Sequence, residues 1–381
     1  MKRILGGRLV ACLLLSAVLA AGCGSSRGTV GPYGSLQTPG PPPPARAGAH
    51  VWAVGMPLLV VASANGGATW RTSHRASPGD PFTQVLYGVA FGDASHGWTV
   101  GKTDVVLATT DGGSSWSLQH EGPSDGCLLD VAASDARHVW AVGYTDGRAH
   151  GLILATVNGG ATWQRQYGGA NDLAAIAVTD AQHGWAVGTK GILATSDGGA
   201  HWRLQCAVSY PYRLHAVTFS DARHGWAVGG TGSGVIEPGF IMATSDGGAH
   251  WTTQLSGASD RLNGVSFVDS LRGWVVGNGG VLYRTTDGGR TWALNQMSTS
   301  WELGAVAFSD AAHGWAIVHP HWDFQTASGG GDKNGWGLLQ QLALLRTVDG
   351  GATWTVVQSA HGLASPVILT DVTCRDAAAA P

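Results

Sequence analysis

Charge is scarce in this chain. Only 12% of residues are Asp, Glu, Lys or Arg, with three Glu (Glu121, Glu237, Glu302) and four Lys. That excludes helix-rich and coiled-coil classes, which draw on abundant Glu, Lys and Leu. Cysteine is scarce too. Of five Cys, Cys12 and Cys23 fall in the first 23 residues, leaving Cys127, Cys206 and Cys374. Three thiols allow one disulfide at most, and no CxxC pair offers a zinc site. The net charge is −3, and −6 without Lys2, Arg3 and Arg8, which excludes nucleic acid as a partner. The hydrophobic share of 44% supplies ample core. Against these shortages stand 59 Gly and 17 Trp, both recurring at regular spacing.

Lys2, Arg3 and Arg8 precede an apolar run, Leu9 to Ala21, of 13 residues. At 1.5 Å per residue it is too short for ~30 Å of hydrocarbon. It ends in Leu19-Ala20-Ala21-Gly22-Cys23 and resembles the bacterial lipoprotein signal, which implies lipidation of Cys23; the alternative is an ordinary secretory peptide. Either way the protein is expected outside the cytoplasm, and lipidation would anchor it on the extracytoplasmic face of a bacterial membrane. Gly24, not Asp, follows the Cys, so nothing marks inner-membrane retention. The expected organisation is a signal over 1–22, a lipidated Gly/Pro/Ser-rich tether over 23–49, one folded domain over 50–376 and a tail over 377–381.

The domain is built on repeats. One segment, Ser/Thr-x-Asp/Asn-Gly-Gly-x-x-Trp, occurs seven times, ending at Trp70, Trp116, Trp163, Trp202, Trp251, Trp292 and Trp354. A second, clearest as His183-Gly-Trp-Ala-Val-Gly188, also occurs seven times and carries Trp52, Trp98, Trp140, Trp185, Trp226, Trp274 and Trp315. A third, as in Leu214-His-Ala-Val-Thr-Phe219, alternates with period two. Each unit therefore reads as four strands: a (LxxVxF), b (HGWAVG), c (GILAT) and d (TWxxQ), with the Gly-Gly turn joining c to d. Four short antiparallel strands per unit predict an all-β, seven-bladed β-propeller of four-stranded antiparallel blades. The Trp and Val of strands b and d are expected between blades. The first unit starts at strand b, His50-Val-Trp-Ala-Val-Gly55, and Leu369-Thr-Asp-Val-Thr-Cys374 supplies the missing strand a. The first blade is thus expected to be closed by the C-terminal strand.

The Ser/Thr-x-Asp-x-Gly-x-Thr-Trp element resembles the Asp-box, or BNR repeat, of sialidases, some xyloglucan hydrolases and sortilins. With the Gly-Trp-Ala-Val-Gly strand, residues 50–376 resemble the photosystem II assembly and stability factor family and its bacterial relatives. The resemblance implies a non-enzymatic, extracytoplasmic scaffold that binds a membrane-protein intermediate and carries an arginine-rich patch. Arg137, Arg223 and Arg272 share the a–b turn, with Gln182 and Ala312 at the equivalent positions.

The Asp-box residues Asn65, Asp111, Asn158, Asp197, Asp246, Asp287 and Asp349 are read as turn caps, because Asn replaces Asp twice and a metal site resents that exchange. His50, His96, His138, His183, His224 and His313 are read as turn residues packing beside a Trp, with metal binding or pH sensing as the alternative. After the repeat positions, ten loop Asp and three Glu remain, enough on paper for a two-carboxylate glycosidase. No catalytic residue, metal or cofactor is assigned. The longest break in the repeat, in the last blade, holds His319, His321, Trp322, Asp323 and Trp336. These are candidate partner contacts, with a floppy insert or a metal site as alternatives. Lesser insertions, Tyr144 to His150 and Thr231 to Gly239, also join b to c. The b–c and d–a connections share one end of a propeller, so that end is the expected binding face. The expected partner is an envelope or membrane protein, with a glycan as the rival.

Overall fold

The computed structural model describes residues 49–75, 85–122, 125–148, 150–231, 237–295, 297, 302–319, 343–359 and 368–376. The chain divides into two units, Met1–Gln37 and Thr38–Pro381, and every described residue falls in the second. Twenty-eight strands form seven four-stranded sheets, each in the order a, b, c, d. Among the described residues, helix is confined to two 3-10 turns, Asp146–Arg148 and Asn278–Gly280. In the first blade the innermost strand is Ile368–Asp376, which pairs antiparallel with Ala49–Met56 from Ala49↔Asp376 to Met56↔Ile368. The C-terminal strand touches strand a of blade 2 (Leu86–Phe91) and of blade 7 (Glu302–Phe308), which closes the ring. A propeller closed this way leaves only short inner edges, protected along the axis.

The Gly-Gly hairpins follow from backbone chemistry. In blade 4, Gly198 and Gly199 adopt φ +70° and +89°, a region that penalises any side chain. The Thr195 hydroxyl accepts the Gly199 N–H at 2.9 Å and donates to Asp197 Oδ1 at 2.9 Å, which also accepts the His201 N–H at 2.9 Å. Asn65 does the same with Ser63 and Thr69, so the cap needs an acceptor oxygen rather than a charge.

The core lies between blades, in seven clusters each shared by two neighbours. In one, Trp185, Val187 and Ile192 of blade 4 meet Leu214, Val217 and Phe240 of blade 5. Trp185 stacks on Phe219 at 3.7 Å, and Trp226 on Phe267 at 3.5 Å. Burying one such Trp removes about 150–250 Å² from water, worth ~4–6 kcal/mol. The strand b Trp also donates across the blade boundary. Trp185, Trp226 and Trp274 bond the Asp-box carbonyls of Gly247, Gly288 and Gly350 at 3.2, 3.3 and 2.7 Å. In blades 2 and 3 a glutamine relays the bond: Trp98 donates to Gln119, and Gln119 to the Gly159 carbonyl at 3.0 Å. The Asp-box is therefore the staple between neighbours. At the closing junction Trp315 packs on blade 1, but its Nε1 has no partner among the described residues.

The Trp and Val of strands b and d lie between blades as expected, but unequally. The strand b Trp are fully buried, whereas strand d, the outer edge, adds partly buried residues such as Trp70, Trp292, Trp354, Val356 and Val357. Leu118, Leu204 and Leu294 of strand d stand more than half out or close to it, at 56%, 53% and 50% exposed. Strand d has a neighbouring strand on one side only, so its residues leave water less completely.

Candidate functional site

Every strand a carries the same irregularity. Its pairing with strand b shifts by one residue just after the first repeat Leu, so the second residue bulges out of the ladder. A bulge re-aims the side chain it carries. The seven bulged residues are Tyr87, Leu129, Ala174, His215, Asn263, Gly304 and Thr370, and all of them line one cavity of about 240 Å³ on the propeller axis. The next position is Gly or Ala in five blades and Asp in two, Asp130 and Asp371. Two of the Asp read as loop residues thus stand on the innermost strands.

Asp371 accepts the Val89 N–H of blade 2 at 3.0 Å, and Asp130 accepts the Ile176 N–H of blade 4 at 2.8 Å. Each carboxylate ties its inner strand to the next. Burial pushes Asp130 up to about 8, with Asp371 adding to the rise, and pushes Asp371 up to about 7. Burial also drives His215 down to about 3, helped by Arg261 and Arg213, so its ring is neutral.

A second cavity of about 250 Å³ adjoins the first through Leu129, Ala174 and His215. It lies at the b–c and d–a end and is lined by Arg148, Asp172, Arg213 and Arg261. Asp172 Oδ2 takes Arg213 at 3.2 Å and Arg148 at 3.4 Å, both longer than a tight guanidinium–carboxylate bond of about 2.7–2.9 Å. Arg261 is held by Glu237 and Glu302 at 3.4 and 3.1 Å, which occupies two of the three Glu. In the d–a connection that leads into Arg213, Tyr210 stands 85% exposed and Tyr212 packs edge-on against Phe240.

At the same end, Asp104 sits in the b–c turn of blade 2. Thr103 and Asp104 adopt φ +62° and +53°, where the equivalent turn of blade 6 uses Gly279 and Gly280 at +64° and +72°. Asp104 is 3% exposed and its Oδ1 has no partner among the described residues. Only glycine fits against it: a Cβ on Gly126 would lie 2.2 Å from Oδ2. Burial, then Asp125, pushes its carboxyl up to about 6 against the pull of Arg165.

The opposite end is regular. His96, His138, His183, His224 and His313 place Nδ1 2.8–3.0 Å from Asp93, Asp135, Asp180, Asp221 and Asp310 three residues earlier. Arg272 pairs with Asp269 in the same register. The recurring Asp-x-x-His spacing was the available signal for these pairs. Packing beside Trp is seen for His50 on Trp52 and His138 on Trp140. Asp111, Asp197, Asp246, Asp287 and Asp349 are all held below the ordinary carboxylate range. Asp111 receives bonds chiefly from Ser115, and Asp197 and Asp246 from His201 and His250. Asp287 receives them from Thr291, and in Asp349 the Thr353 bonds outweigh an opposing burial effect. Arg137, Arg223 and Arg272 belong to this end, away from the Arg148–Arg213–Arg261 mouth.

Of the candidate contacts in the last blade, His321, Trp322, Asp323 and Trp336 lie outside the described residues, as does the side chain of His319, whose backbone pairs with Glu302. Cys23 also lies outside them. Among the described residues, Cys127 and Cys206 are free thiols. Among the described residues, no three His, Cys, Asp or Glu gather to hold a metal ion, and no helix is long and apolar enough to cross a membrane.

Fold and repeat together define an Asp-box seven-bladed β-propeller. The chain belongs to the photosynthesis system II assembly factor YCF48 family, whose family model matches residues 80–166, 166–256 and 205–304. Among solved structures it is similar to YCF48 from Cyanidioschyzon merolae, at 21% identity and TM-score 0.53 over 72% of this chain and 85% of that one. It is similar also to YCF48 bound to D1 peptide, at 21% identity and TM-score 0.54 over 74% and 85%. The GH74 xyloglucanase from Xanthomonas campestris shares the fold at 15% identity and TM-score 0.51, over 71% of this chain and 45% of the enzyme. No curated protein matches the chain.

Proposed function

We propose that this protein is a non-enzymatic, lipid-anchored propeller that works on the extracytoplasmic side of a bacterial membrane and captures a segment of an envelope or membrane protein. The observation that carries the reading is the mouth: a polar cavity of about 250 Å³ with three guanidinium groups, on the end where the repeat varies and where the connection leading into Arg213 exposes Tyr210. Exposed aromatics and arginines on a rigid frame are what protein recognition uses. Membership of the YCF48 family supports a protein partner, and the D1 peptide complex of a relative supports an extended segment as its form. The anchor rests on the Leu19-Ala20-Ala21-Gly22-Cys23 sequence.

The test is a pull-down of membrane proteins with melting curves on each variant. Tyr210→Ala combined with Arg213→Ala should weaken capture by more than ~1 kcal/mol while leaving the fold intact. Asp246→Ala should lower stability without a selective loss of capture. Normal capture by the mouth variant, or binding to polysaccharides in place of proteins, would overturn the reading. For the anchor, Cys23→Ser should release the protein from membranes; unchanged membrane association would remove it.

A further inference from the structure

The repeat is strict on both sides of the bulge and free at it. The first position of strand a is Leu in all seven blades, and the fourth is Val in six and Ile176 in the other. Between them, the bulge carries seven different residue types, all facing the axial cavity. Folding demands nothing specific there, so the fold does not explain the choice. Asp130 and Asp371 add to this. Five blades close the ring with Gly or Ala at the same position, so neither carboxylate is required for closure. Each is walled in by the channel, and no Lys or Arg lines that cavity. Every oxygen that accepts an amide keeps a further lone pair for another donor.

The axis is also polarised. Guanidinium groups of Arg148, Arg213 and Arg261 surround the mouth, and the two carboxylates lie in the adjoining cavity. Two polar atoms along this path have no partner among the described residues: His215 Nε2, at the passage between the cavities, and Oδ1 of Asp172, whose side chain is 10% exposed at the mouth. Glu237 and Glu302 offset Arg261, whereas Arg148 and Arg213 share the single carboxylate of Asp172. The Arg148–Arg213 side of the mouth therefore stays positive toward a simple cation, and a simple anion meets buried carboxylates further in. A molecule with both charges, ammonium first and carboxylate last, matches the sequence of charges along the axis.

We propose that the channel binds a small aliphatic zwitterion, an ammonium carboxylate whose amine is held by Asp130 and Asp371 and whose acid rests on Arg148 and Arg213. The proposal shares Arg148 and Arg213 with the capture mouth, but Asp130 and Asp371 belong to it alone, so the carboxylate variants test it separately from partner capture. An ammonium group in the channel would hold both carboxylates ionised, so binding near neutral pH releases protons and the measured heat varies with the ionisation enthalpy of the buffer.

The experiment is calorimetric titration of the folded full-length chain at pH 7.5 with linear ω-amino carboxylates of four to eight carbons, hexylamine and hexanoate. At least one amino carboxylate should bind at least tenfold more tightly than hexylamine and hexanoate, with buffer-dependent heat. Asp130→Asn with Asp371→Asn should lose at least tenfold in affinity and lose the proton release, while keeping an acceptor for the Val89 and Ile176 amides. Ala174→Phe, which fills the passage and leaves both carboxylates in place, should block binding even if the first variant fails to fold. Lysine and a peptide ending in lysine, against its C-terminally amidated form, separate a free molecule from a chain end as the source. Absence of binding by every amino carboxylate, or binding unchanged in the folded variants, would overturn the proposal.

Discussion

The carboxylates at the two ends of this propeller live under opposite physics. At the Asp-box and a–b turn end, eleven of them lie below the ordinary range. Burial opposes the shift in several, but turn amides, hydroxyls and His or Arg neighbours donate enough bonds to outweigh it. At the other end and in the channel, Asp104, Asp130 and Asp371 are raised to about 6, 8 and 7, chiefly by burial. The first set does structural work that any acceptor oxygen performs, as Asn65 and Asn158 show. The second set is costly where it stands, and one blade or another does without each of its members. Natural sequences keep such costs mainly at functional or strained sites.

The comparison is broken most severely by ending the chain at residue 365. Blade 1 would lose its innermost strand and the Asp371 tie to Val89, leaving an open ring with an exposed edge. The expected result is loss of the cooperative melting transition; a truncated chain that melts like the full-length protein would show that closure does not hold the fold. Next in size, Gly199→Ala puts a Cβ 1.8 Å from Gln166 Oε1 at φ +89°. It should cost about 2 kcal/mol or more, from strain and from the disturbed glutamine relay, read as a shift in denaturant midpoint.

The pH profile sharpens the contrast between the ends. Groups held near 2, such as Asp197, Asp246 and Asp287, contribute stability above the unfolded value near 3.8 and lose it as pH falls through about 2. Asp104, Asp130 and Asp371 do the reverse: the fold is favoured below 3.8, and that advantage drains away as pH rises through about 6 to 8. The melting temperature should therefore peak in the mildly acidic range and fall toward pH 8. Asp130→Asn and Asp371→Asn should flatten the alkaline fall, and a fall unchanged in the double variant would contradict the assignment.

Asp104→Gly places glycine where the blade 6 turn has Gly280 and removes a buried carboxylate whose Oδ1 has no partner among the described residues. It should stabilise the protein by ~1–2 kcal/mol at pH 7.5 and by less at pH 5, measured by chemical denaturation at both. The smallest effect belongs to Asn158→Asp. Within an exposed cap that already accepts Asp in five copies, it should change stability by no more than about 0.5 kcal/mol.

Most of the architecture was readable because it is repeated. Seven copies of Gly-Gly-x-x-Trp and of Gly-Trp-Ala-Val-Gly state the hairpin and the strand locally, through φ > 0 at glycine and period-two alternation. The unpaired start at His50 and the stray Leu369–Cys374 segment revealed closure for the same reason. The candidate site was not readable in this way. Asp130 and Asp371 looked like two leftover carboxylates among ten, and His215 like a variable residue inside a strand. Arg148, Asp172, Arg213 and Arg261 come from three different blade junctions, and no spacing connects them.

The sequence by itself determined the blade, the number of blades and the manner of closure, because each depends on contacts within a unit or between units of the same pattern. Only the tertiary structure decided what lines the axis. The bulge in strand a is a one-residue slip in pairing with strand b, and the ring brings the seven bulged residues to one axis. That slip turns the variable second residue of each blade into the channel. The electrostatics were likewise tertiary: an Asp is held low where turn donors surround it and raised where neighbouring blades exclude water.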